Sequence, residues 1–142
     1  MVIVIVFPLA MILTAYRLGT LHSLVSTRTP IWQSIVYVPW AFAQQFILQL
    51  FVYVRLQTAF IHERLAVLLG ATLFAVAHLP NPLLVPLTFI GAILMTEYFR
   101  RYQNVLALGF AHAVSGLSIA AAPPVPLTHN MRVGLACLLH SS

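Results

Sequence analysis

The 142-residue chain contains no lysine and no aspartate, and its only acidic residues are Glu63 and Glu97. Charged residues make up 6% of it, against roughly 25% in an ordinary soluble domain, so too little charge is present to clothe a water-facing surface. A single cysteine, Cys137, excludes an internal disulfide and any CxxC metal or redox motif. All seven basic residues are arginines, spread along the chain instead of gathered in a patch, so the formal charge of +5 does not point to a nucleic-acid partner. Met1 to Tyr16 has neither a basic leading region nor a small-residue cleavage site before Arg17, which argues for a first helix and against a signal peptide. No internal repeat and no linker divides the chain, so a single membrane domain over 1–142 is expected, with a short tail from 127 to 142.

What is abundant is apolar: 61% of residues are hydrophobic and the mean hydropathy is +0.98, the composition of an integral membrane protein whose first partner is the lipid bilayer. The expected fold class is all-α, a polytopic membrane helical bundle of about four to five transmembrane helices. Val2 to Tyr16 is a short first helix with Pro8 as a kink. Thr29-Pro30 marks the start of a long helix from Ile31 to Phe60, in which Trp32, Tyr37, Trp40 and Tyr53 suit interfacial aromatic belts. After a break around Gln57 to Arg64, Leu65 to Leu79 resumes as helix and ends at Pro80-Asn81-Pro82. Leu83 to Tyr98 and Asn104 to Ala122 follow, the latter carrying small residues suited to close helix contact. Glu63 and Glu97 adjoin arginines at helix ends, which predicts surface ion pairs and no catalytic role.

The polar residues inside these apolar runs are the informative ones. Gln44, Gln45 and Gln49 interrupt the long helix, while His78 and His112 each sit in an apolar segment. Lipid offers an amide no hydrogen-bond partner, and an ionisable group inside a membrane is costly, so these residues must meet one another or serve a site. Counted from the loop near residue 60, Gln44 lies roughly 24 Å deep, His78 roughly 20 Å and His112 roughly 12 Å, at about 1.5 Å per residue. Matched depth predicts Gln44 or Gln45 facing His78, with Gln49 acting as glue between helices.

Phe74-Ala75-Val76-Ala77-His78 with its proline-rich exit, Gly109-Phe110-Ala111-His112-Ala113-Val114-Ser115-Gly116, and Gln44-Gln45-Phe46-Ile47-Leu48-Gln49 occur in a telling order. Over residues 31 to 122 this resembles the CPBP intramembrane proteases, also called Abi or CAAX amino-terminal proteases, which include the type II CAAX prenyl endopeptidases. In that family the pattern is EExxxR, then FxxxH, then a histidine followed four residues later by asparagine. The resemblance implies an intramembrane endopeptidase in a cell membrane, expected here to be bacterial, with His78, His112, Gln44 and Gln45 at the catalytic positions. It further implies a membrane peptide or protein as substrate, and His78 and His112 as candidate ligands for a divalent metal such as zinc.

The departures fall on the chemistry. Glutamines stand where the family has two glutamates and an arginine, and Gly116 stands where it has asparagine. A glutamine keeps the shape and the hydrogen bonds of glutamate but cannot take a proton near neutral pH, which removes general-base catalysis worth about 10² to 10⁴-fold. Two readings follow: an endopeptidase homologue of low or lost activity working with His78, His112 and Ser115, or a silent membrane protein that binds a peptide or partner helix in the same cavity.

Overall fold

The computed structural model describes residues 2–21, 31–59 and 62–122. The helix start expected at Thr29-Pro30 and the tail expected at 127–142 lie outside the described residues. Within them the chain is helical throughout: α1 (Val2–Leu18), α2 (Ile31–Gln45) continued by a π-helical segment (Phe46–Tyr53) and α3 (Val54–Ala59), then α4 (Glu63–Val76), α5 (Leu84–Tyr102) and α6 (Val105–Ala121). Because α2, the π segment and α3 run on without interruption, these elements form five rods.

The all-α bundle expected from the sequence is present, but its helices differ in length. Among the described residues one helical stretch, the 26 residues Ser34–Ala59, is both long and apolar enough to cross a membrane by itself. α4 has 14 residues, about 21 Å against a hydrocarbon core of about 30 Å. It stops early because Pro80 and Pro82 forbid a longer helix, and turns at 77–80 lead into the next element. Asn81, fully buried, organises that turn: its Oδ1 accepts the backbone N–H groups of Leu83 and Leu84 at 3.2 and 3.0 Å.

The distribution of side chains is the reverse of a water-soluble core. Alanines fill the inside, including Ala41, Ala66, Ala71, Ala75, Ala92 and Ala111, while Trp32, Ile47, Phe51, Leu73, Ile90 and Phe110 point outward. Small residues inside and large apolar ones outside suit helices that pack backbone to backbone and face lipid. α4 packs mainly on α5, and α2 mainly on α6. The second pair is close because of two glycines. A Cβ on Gly109 would overlap the Phe42 ring, standing 2.7 Å from its Cγ, and a Cβ on Gly116 would stand 2.5 Å from Cζ of Tyr37. α1 lies against α6, and the Thr20 hydroxyl donates to the Ala122 carbonyl oxygen at 2.9 Å.

α5 and α6 are joined by a tight turn in which Gln103 takes the left-handed conformation (φ 50°) and Asn104 caps α6, its Oδ1 accepting from Ala107 N–H at 3.0 Å. Beyond that turn the two helices touch little, each turning to its own partner. The space between them is the site described next.

Glu63 and Glu97 form surface ion pairs, Glu97 with the neighbouring Arg100 as expected and Glu63 with Arg100 instead of the adjacent Arg64. Arg100 holds both carboxylates, bidentate on Glu97 at 2.9 and 2.8 Å and also on Glu63. Burial works against the charge on Arg100, yet the two carboxylates outweigh it and raise the guanidinium above its usual range. With Glu63 and Glu97 52% and 39% exposed, Glu63→Gln is expected to change unfolding free energy by under about 1 kcal/mol, checked by thermal melts in detergent. A larger loss would show that this pair fastens α4 to α5.

Candidate functional site

A cavity of about 630 Å³ opens between α5 and α6, with α2 and the end of α4 closing it. Its wall is mostly apolar, and its polar members are few: Tyr37, Trp40 and Gln44 from α2, His78 after α4, Thr88 and Tyr98 from α5, and His112 and Ser115 from α6. No carboxylate lines it.

The glutamine run and both histidines converge here, Gln44 and His78 in the wall of one cavity and Gln45 on His112. Gln45 is fully buried, and its Nε2 lies 2.8 Å from Nδ1 of His112, not against His78. The Gln45 Oε1 accepts from Nε2 of Gln49 at 3.2 Å. Gln49 therefore links one turn of its own rod to the next instead of gluing two helices, and its own Oε1 is buried without a hydrogen-bond partner. The π segment begins at Phe46, between these glutamines, and its wider turns bring residues four apart closer to eclipse, which suits the Gln45–Gln49 bond. Gln44 projects into the cavity wall instead, half-buried.

These contacts set the two imidazoles in opposite senses. With the Gln45 amide nitrogen as donor, Nδ1 of His112 accepts, and in the neutral ring the proton sits on Nε2. His78 places Nδ1 2.7 Å from the carbonyl oxygen of Phe74, which only accepts, so Nδ1 carries the proton and Nε2 carries a lone pair. Phe74 packs against both rings, at centroid distances of 4.9 Å to His78 and 5.8 Å to His112.

This donor set does not fit zinc. A catalytic zinc takes three protein ligands, and no group of three histidine, cysteine, aspartate or glutamate side chains is placed to hold an ion among the described residues. Nδ1 of each histidine is already engaged, and both glutamines nearest His112 are neutral amides committed to the network.

The order of these residues along the chain is matched by a family description. The type II CAAX prenyl endopeptidase Rce1-like family matches residues 27–118, a stretch that takes in Gln44, Gln45, His78 and His112. The chain belongs to this family. Its members are membrane-embedded, which agrees with the Ser34–Ala59 span and the apolar exterior. Neither the curated proteins nor the solved structures contain a match.

Tyr37 and Trp40 read from the sequence as membrane-interface aromatics, yet both line the wall of this cavity. The signal was present in the spacing: Tyr37 is seven residues before Gln44, two turns along the same helix face.

Proposed function

We propose that this Rce1-like chain retains the ligand-binding cavity of a membrane endopeptidase while its hydrolytic capacity is weak or absent. The observation that carries this reading is the neutral hydrogen-bonded chain Gln49–Gln45–His112 in a cavity without a carboxylate. Both carboxylates among the described residues are spent on Arg100. A water in the cavity would have only a neutral imidazole to take its proton, without the negative charge that would stabilise the imidazolium formed.

Binding does not need that charge. A cavity of about 630 Å³ falls within the range of about 300 to 1,000 Å³ typical of small-ligand sites, and a mostly apolar wall with a few polar groups suits an apolar chain that carries peptide bonds. The family description supports a prenylated C-terminal peptide as that ligand. The free lone pair on His78 Nε2 favours a second reading, residual proteolysis with His78 as sole base.

The two separate in one experiment on the protein purified in lipid nanodiscs. A fluorescent farnesylated Cys-a-a-X peptide is expected to bind saturably, and mass spectrometry is expected to find it uncleaved. Cleavage by the wild type that disappears in His78→Ala would favour the second reading and overturn the first. Absence of saturable binding would overturn both.

A further inference from the structure

We infer that the Tyr37 hydroxyl is the group with which the cavity recognises a carbonyl oxygen of its ligand, in space left open by Gly116. The inference rests on the binding function proposed above and adds a residue and a chemical specificity to it. On α2, Tyr37 shares a face with Gln44 and lies in the cavity wall. On α6, Gly116 is one turn beyond His112, on the same face. A Cβ at position 116 would overlap the Tyr37 hydroxyl oxygen and stand 2.5 Å from Cζ and 2.8 Å from Cε1. The phenol and any side chain at 116 therefore exclude each other, and the glycine is what admits the phenol to the wall that bears His112.

Gln45 is tied at both ends of its amide and each histidine is tied through Nδ1, whereas the Tyr37 hydroxyl, like the Gln44 amide and the Ser115 hydroxyl in the same wall, makes no hydrogen bond to a described residue, and it is the Tyr37 oxygen that lies where a Cβ of Gly116 would be. A donor facing an apolar space without a partner is costly, and a ligand acceptor delivered there recovers that cost. The acceptor that an apolar peptide chain supplies is an amide carbonyl oxygen. In a farnesylated Cys-a-a-X peptide, the amide following the prenylated cysteine is the one assigned to Tyr37, because the phenol reaches the same wall as the histidines.

The test compares two ligands on two proteins. One ligand is the farnesylated peptide, and the other carries an (E)-alkene in place of the amide after the modified cysteine, which keeps the shape and removes the acceptor. Tyr37→Phe, which deletes only the hydroxyl, is expected to weaken binding of the amide ligand about 5-fold and to leave the alkene ligand unaffected. Wild-type protein is expected to bind the alkene ligand more weakly by the same factor. Gly116→Ala, which evicts the phenol, is expected to reproduce the Tyr37→Phe loss on the amide ligand. Unchanged amide binding in Tyr37→Phe, or equal losses on both ligands, would overturn the inference while leaving the binding function standing. Failure of wild-type protein to bind either ligand would overturn the binding function itself, and the role of Tyr37 with it.

Discussion

Gln44→Glu is expected to raise cleavage of a farnesylated peptide by about 10²-fold over wild type, whereas Gln45→Glu is expected to yield little activity and an unstable protein. The two glutamines are adjacent in sequence but differ in setting. Gln44 is half-buried in the cavity wall, so a carboxylate there meets ligand and water and can act as a general base, a role worth about 10² to 10⁴-fold. The lower end applies because Gln49 supplies no positive charge behind the site and Gly116 supplies no side chain of its own. Gln45 has no exposure, and its Nε2 donates to His112. A carboxylate at 45 removes that donor and buries a charge, at a cost of several kcal/mol unless His112 moves its proton to Nδ1. Initial rates in nanodiscs and chemical unfolding of both variants check the two halves. Equal cleavage by Gln44→Glu and wild type would show that the missing base is not what limits this cavity.

Gly109→Leu is expected to prevent α2 and α6 from assembling, and Gly109→Ala to cost about 1 to 3 kcal/mol, the range for inserting carbon into a packed interior. A Cβ at 109 would overlap the Phe42 ring, and the same helix pair carries the Gln45–His112 bond, so separating the helices also strands two buried polar groups. Gly91→Ala provides the contrast. A Cβ there meets nothing within 4 Å, and the helix-propensity gain of up to about 1 kcal/mol makes that change neutral or stabilising. Thermal unfolding followed by circular dichroism distinguishes them. Gly109→Ala melting with Gly91→Ala would mean that Phe42 yields freely and that the helix pair is not held by its glycines.

The amino-acid sequence alone determined the all-helical membrane class, the order of the five rods, the two histidines and the absence of a carboxylate beside them. Composition is a property of the whole chain, and proline, glycine and polar residues mark helix ends locally, so those features need no knowledge of neighbours. Depth counting brought His78 and Gln44 to one level, and both do line the cavity. It could not say that Gln45 meets His112 while His78 turns to Phe74, because periodicity places a side chain around its own helix but not the rotation of that helix against the next. The π segment compounds this, since a change in residues per turn after Gln45 shifts the phase of every later position in the rod. The cavity itself exists because α5 turns to α4 and α6 to α2, leaving the sequential neighbours apart, and Tyr37 enters it only because Gly116 on another helix leaves room. Both depend on contacts between segments distant in the chain, and those the tertiary structure alone decided.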